Sequence, residues 1–287
     1  MLKQIIFILK SDSSSYMQTI VSDINTLALK FKENGIKVSY LAGNINDINP
    51  SKIAFSKEVL YLADDALMLE QMLLAKHYTI ALQHDYNHRA DLYKALYAMS
   101  EIRDIDFDSF LKAYERLAGL PWHIADTKRL TIRETTINDV DDFYRIYQEP
   151  AITRHMDSLY LDIDEEKAYA AEYIKTVYHF YGYGIWTVAL RETGEVIGRA
   201  GISWRDGHRD PEIGFVIAHE HQRKGYAEEA LRAILELAKK ELEFDMVQAL
   251  IQPENIASVA LCVKLGFAEQ GIVYLDEQKH LVLTIHL

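Results

Sequence analysis

The chain of 287 residues is 49% hydrophobic and 26% charged, the balance of a folded globular protein rather than a disordered one. Its formal net charge of −12, carried mostly by the second half, opposes capture of nucleic acid, which needs lysines and arginines set against phosphates. The opening residues lack a basic flank with an apolar core, and no apolar run reaches the ~18 residues that cross a bilayer, so a cytoplasmic protein without a membrane partner is expected. The single cysteine, Cys262, excludes an intramolecular disulfide and a cysteine-rich zinc site.

In chain order, residues 4–9 form a β-type run, and an apolar stripe at Ile20, Ile24, Leu27 and Phe31 predicts a helix ended by Gly35. Strands are expected at 36–41, 59–63 and 79–82, with helices at 67–74, 92–99 and 110–117. This alternation predicts a Rossmann-like parallel α/β domain. The break at Gly119, Leu120, Pro121 and Trp122 puts a domain boundary near residue 126, which gives domains 1–126 and 127–287.

The second half opens with a strand at 130–133 and helices at 139–147 and 165–181. Strands at 185–190 and 196–204 flank a turn, and a third follows at 212–217. Ala227, Ala230, Leu231, Ile234, Leu235 and Ala238 then share one helical face. A strand at 246–252, a short helix at 255–265 and strand-like runs at 268–275 and 281–286 complete an α/β mixed sheet flanked by helices.

The chemistry is expected where the strand at 212–217 turns into the long helix, at Gln222, Arg223, Lys224, Gly225, Tyr226 and Ala227. The first N–H groups of a helix lack intrahelical partners and the dipole there is positive, so such a turn can hold a pyrophosphate. Gly225 and Ala227 allow close approach, and Arg223 and Lys224 add charge; an ordinary basic turn is the bland alternative. The hexapeptide resembles the Gln/Arg-x-x-Gly-x-Gly/Ala coenzyme A signature of the GNAT N-acetyltransferase superfamily. Asn255 and Ser258, followed by Leu265, Gly266 and Phe267, look like that family's second coenzyme motif, and Asn255 also reads as a helix cap. The run Arg129 to Arg133 looks like the first strand of the branch that acetylates ribosomal-protein N-termini.

The resemblance implies a GNAT-like fold over 127–287, acetyl-coenzyme A as cosubstrate, no metal, and an acceptor that is a small-molecule amine or a protein N-terminus. It further implies that Phe215, Val216 and Ile217 offer backbone groups to the pantetheine arm, with a bulge at Gly214. The Val216 N–H would polarise the thioester carbonyl. Only about 0.04% of a lysine-like amine is neutral at pH 7, so a base is useful, and Glu212 stands where relatives carry a glutamate. A solvated strand-edge carboxylate is its alternative. Where many relatives place a tyrosine to protonate the leaving thiolate, this chain has Cys262, read here as a buried hydrophobe rather than a nucleophile. That departure keeps open a rival function, a noncatalytic acetyl-coenzyme A-binding regulator.

The pairs His219 with His221 and His84 with His88 lack a complete ligand set for a metal. Trp186, Trp204 and Phe267 read as core, and Tyr178, Phe180, Tyr181 and Tyr183 as core or substrate wall. The first domain resembles a degraded haloacid dehalogenase-like domain, in which Ile8, Leu9 and Lys10 replace the catalytic Asp-x-Asp and Asp64 and Asp65 have no assigned role. A noncatalytic domain is expected there, since neither an aliphatic residue can accept a phosphoryl group nor Lys10 bind magnesium.

Overall fold

The computed structural model describes residues 1–10, 15–45, 47–87, 91–156 and 158–287. The chain divides into two compact units, Met1–Leu120 and Pro121–Leu287.

The first unit runs β1 (Gln4–Lys10), α1 (Ser15–Lys30), β2 (Lys37–Gly43), β3 (Val59–Ala63), α2 (Ala66–Leu74), β4 (Thr79–Leu82), β5 (Ala98–Met99) and α3 (Phe107–Ala118). Its strands pair in parallel in the order β2-β1-β3-β4-β5. Every residue of β3 and β4 is buried, which is why both read as unbroken apolar runs rather than alternating ones. Ile5, Phe7 and Leu9 pack with Ile24 and Phe110 on one face, and Ile8, Tyr61 and Ala63 with Met68 and Leu69 on the other. The helix expected at 92–99 is not formed. The N–H groups of Ala81 and Gln83 need acceptors at the sheet edge, and the Tyr97 and Met99 carbonyls supply them at 2.9 and 2.8 Å, drawing this segment into β5.

The second unit contains β6 (His123–Asp126), β7 (Leu130–Arg133), α4 (Asp139–Tyr147), α5 (Pro150–Thr153), α6 (Ile163–Tyr173), α7 (His179–Tyr181), β8 (Ile185–Leu190), β9 (Val196–Ser203), β10 (Glu212–Ile217), α8 (Tyr226–Lys240), β11 (Met246–Ile251), α9 (Ile256–Leu265), β12 (Ala268–Leu275) and β13 (Gln278–His286). They build a mixed eight-stranded sheet, β12-β13-β11-β10-β9-β8-β7-β6, antiparallel except between β10 and β11. β6 is hydrogen-bonded to β7, so the boundary expected at 126 falls between Leu120 and Pro121 instead.

The single helix expected over 165–181 is interrupted by a π-helical turn at Ile174–Tyr178. The wider turn brings Tyr173 and Tyr178 onto one face, where the Tyr173 hydroxyl accepts from Ile185 N–H (2.9 Å) and the Tyr178 hydroxyl donates to Ile185 C=O. In a regular helix, residues five apart point away from each other. Among the described residues no helix is long and apolar enough to cross a membrane.

Asp139 fastens α4 to the sheet. Its carboxylate accepts from both terminal nitrogens of Arg133 (2.7 and 2.6 Å), from Thr136 N–H (2.7 Å) and from the Thr187 hydroxyl (3.2 Å). Burial alone would raise its pKa, but Arg133 and Thr136 together hold it below the ordinary carboxylate value. Asp139→Asn should cost about 3 kcal/mol, because one partner of a buried ion pair is stranded. The contribution is complete above the unfolded value of about 3.9 and is lost as pH falls through the lower folded value. Denaturant titrations should therefore find the gap between parent and variant steady from about pH 7 to pH 5 and narrowing below about pH 4; a gap indifferent to pH would show that the ion pair is not its source.

Candidate active site

β10 and β11 meet at one register point, Glu212 opposite Gln248, and pair no further. Beyond it the two parallel strands part, while β10 stays in register with β9 along its whole length. Backbone groups alternate sides along a strand. Gln248 N–H donates to Pro211 C=O across β11 (2.9 Å), and Ala218 N–H to Ile197 C=O across β9 (2.8 Å). By that alternation Ile213, Phe215 and Ile217 turn their backbone groups to the opening, and Gly214 and Val216 turn theirs to β9.

Two expectations change as a result. The Val216 N–H is directed into the ladder opposite Arg199 and is not available to polarise a carbonyl in the opening. Gly214 makes no bulge, because the β9–β10 register is continuous. The side chain of Val216 packs with Ile146, Ile152 and Ala218, on the face that carries α4 and α5. Ile213 and Ile217 pack on the opposite face with Ala230, Leu231 and Ile234 of α8.

The turn at 222–227 stands at the wide end of the opening. Arg223 has φ 59° and Gly225 φ 81°, left-handed values that fold the backbone into a tight hollow. Gly225 caps α8 without any side-chain hydrogen bond, whereas Asp65, Asp106, Asp162 and Asn255 cap α2, α3, α6 and α9 with theirs. The first intrahelical bond of α8 is Glu229 N–H to Gly225 C=O, so the N–H groups of Tyr226, Ala227 and Glu228 are the orphan donors of a fifteen-residue helix. Gln222, Arg223, Lys224 and Gly225 are exposed. The Gln222 amide donates to Ile217 C=O (3.0 Å), tying the turn to the end of β10.

Arg129, absent from the sequence-based site, braces this turn. Its Nε meets Glu229 at 2.7 Å, its Nη1 donates to Lys224 C=O at 2.9 Å, and its guanidinium lies 4.3 Å from the Tyr226 ring centroid. A Cβ built on Gly225 would sit 3.4 Å from Arg129 Nη2. The two acids of the first α8 turn are likewise engaged: Arg129 and Thr127 hold Glu229, and Lys264 and Arg232 hold Glu228. Lys264 and Arg232 keep the Glu228 carboxyl below its usual range. Nothing in the sequence around Arg129 signalled this role, because its partners lie about a hundred residues away. The hollow, its uncapped donors and its neutralised acids fit a pyrophosphate.

Glu212 sits on the α4–α5 face where the strands begin to part, but its carboxylate is gripped by Arg205, with Nε at 2.6 Å and Nη2 at 3.4 Å. Asn255 accepts from Ser258 N–H (3.2 Å), the capping geometry. Cys262 is fully buried, and burial pushes its thiol up to about 12. Trp186, Phe267, Tyr178 and Tyr183 are core residues, whereas Phe180, Tyr181 and Trp204 reach solvent. His221 pairs with Glu195 (3.1 Å), and His88 lies outside the described residues. Among the described residues no three metal-ligating side chains converge.

A family model for the acetyltransferase (GNAT) domain matches residues 129–268. The uncharacterized N-acetyltransferase YnaD of Bacillus subtilis is 30% identical over 145 residues, 50% of this chain and 82% of that protein. The uncharacterized N-acetyltransferase p20 of Bacillus licheniformis is 27% identical over 152 residues, 51% of this chain and 83% of that protein. Among solved structures, an acetyltransferase from Agrobacterium tumefaciens is 26% identical with a TM-score of 0.50, covering 57% of this chain and 94% of that one.

The environment of Cys262 predicts an inert thiol, since only about one molecule in 10⁴ carries a thiolate at pH 8 when the pKa is near 12. A disulfide-exchange reagent should leave the native chain unlabelled over minutes and titrate one thiol per chain after denaturation. Rapid labelling of the native protein would reopen a covalent role.

Proposed function

This chain belongs to the GNAT acetyltransferase family, and on that premise we propose that its second unit moves the acetyl group of acetyl-coenzyme A, the family's donor, to a primary amine. The observation that carries this reading is the parting of β10 from β11 beside an uncapped helix N-terminus. The N–H groups of Tyr226 and Ala227, with those of the turn Arg223, Lys224 and Gly225, would hold the pyrophosphate. The pantetheine amides would pair with the backbone of Phe215 and Ile217, as a strand is added to an open edge. The Phe215 N–H, turned to the opening, replaces that of Val216 as the group that would polarise the thioester carbonyl. Asn255 and Ser258 enter as the cap that sets the start of α9, beside the opening.

The acceptor is a small-molecule amine or a protein N-terminus, approaching from the α4–α5 face because α8 covers the other. Residues 1–120 enter as a noncatalytic unit. Asp65 caps α2 and pairs with Lys10, and Asp64 accepts from Lys10 N–H, so both acids are engaged in holding strand ends together. A second reading, binding of acetyl-coenzyme A without turnover, is favoured by one observation, the buried Cys262 at the position where the family resemblance implies a tyrosine. Free thiol released in the presence of an amine and peptide panel separates the two.

At 100 times its dissociation constant, acetyl-coenzyme A should stabilise the protein by about 2.7 kcal/mol. For a domain of this size that is roughly 5 to 10 °C in melting temperature. Gly225→Val should abolish most of the shift by filling the hollow and opposing its left-handed backbone. Arg129→Ala should weaken binding by about tenfold, through loss of a brace worth on the order of 1.4 kcal/mol. Titration calorimetry on the folded variants checks both. Parental affinity in Gly225→Val would refute the turn as the phosphate site.

A further inference from the structure

The α4–α5 face carries a polar chain that the reading above does not use. His155, just after α5, has its Nδ1 2.9 Å from Gln252 Oε1, and Gln252 Nε2 donates to Gln278 Oε1 at 2.6 Å. The register shows which face this is. Gln248 is opposite Glu212, and Gln252, the residue that follows the end of β11, lies two alternations further on, so it shares the face of Glu212. Gln248 is also opposite Thr284, and Gln278 follows by the same alternation in β13. Ile152, three residues before His155, packs with Val216 and Ala218 on that face of β10. His155 therefore reaches from the β10 side of the opening to the β11 side, on the face opposite α8.

Gln252 uses its amide nitrogen on Gln278, so its oxygen accepts from His155 Nδ1. In the uncharged ring that places the hydrogen on Nδ1 and the lone pair on Nε2. Glu212, by contrast, has both oxygens against Arg205. Histidine is the side chain whose uncharged form is at hand near neutrality. Resting on the acetyl-transfer reading, we propose that His155, rather than Glu212, accepts the proton of the acceptor amine.

The step balances. One ammonium proton passes to His155 Nε2, and the freed nitrogen lone pair forms the bond to the thioester carbonyl carbon. The carbon–sulfur bond breaks with its electron pair on sulfur, which takes the second nitrogen proton, and His155 returns its own proton to water. Gln252 and Gln278 are positioning residues, since they hold the ring by Nδ1 and leave Nε2 bare.

His155→Gln and Glu212→Gln in the full chain separate the two bases. Both should keep the acetyl-coenzyme A thermal shift. With the best amine from the panel, His155→Gln should lose roughly 10² or more in kcat, and Glu212→Gln less than about tenfold. With a weakly basic analogue of that amine, already uncharged at the assay pH, the His155→Gln defect should shrink to below about tenfold, because no proton need be removed before attack. Parental turnover in His155→Gln, an equal defect on both acceptors, or the large loss in Glu212→Gln instead would each overturn the assignment. Coenzyme binding without thiol release from the parent by any amine would sink the transfer reading itself, and the proposal with it.

Discussion

The second unit is organised around two parallel strands that touch once and then part. A strand left unpaired in the middle of a sheet leaves peptide groups without partners, a cost avoided only if something else fills the gap. β9 holds β10 straight through six continuous register pairs, and β13 does the same for β11, so neither strand can lean across to close the opening. The opening is thus enforced by the outer ladders. From it follow the direction of every backbone group on β10, the place where α8 begins, and the separation of one helical layer from the other.

Charge is arranged to serve the same opening. The first turn of α8 contains Glu228 and Glu229, which would ordinarily complement the helix dipole and repel an anion. Each is instead drawn aside by cations: Glu229 by Arg129 from a distant segment, and Glu228 by Lys264 of α9 together with Arg232 one turn further along α8. Arg129 also stacks on Tyr226 and bonds Lys224 C=O, so one side chain removes the opposing charge and sets the shape of the turn. The chain as a whole is acidic, and the exposed Arg223 and Lys224 stand out against that background.

Where expectation and structure diverged, an obligation to a neighbouring strand decided the outcome. Residues 92–99 read as a helix, yet the edge of β4 needed acceptors. The segment at 165–181 reads as one helix, yet two tyrosines five apart both had to meet Ile185. His123–Asp126 is only four residues long with polar ends, and its pairing with β7 makes it a strand.

Local pattern determined much of this protein. The bounds of β10, α4, β7 and β12 are those expected from alternation, helical periodicity and turn residues, which depend on a few consecutive positions. The turn at 222–227 was legible for the same reason, since a glycine before an amphipathic helix is a local signal. Tertiary structure alone decided which peptide groups face the opening, and it turned the Val216 N–H into the ladder with β9. It decided that Arg205 occupies Glu212 and that Arg129 braces the turn at 222–227 from about a hundred residues away. It also set His155, Gln252 and Gln278 in one hydrogen-bonded line. Apart from Arg205, seven residues from Glu212 across the turn between β9 and β10, these are contacts between segments far apart in the chain, and no spacing within a sequence encodes which distant side chain will arrive.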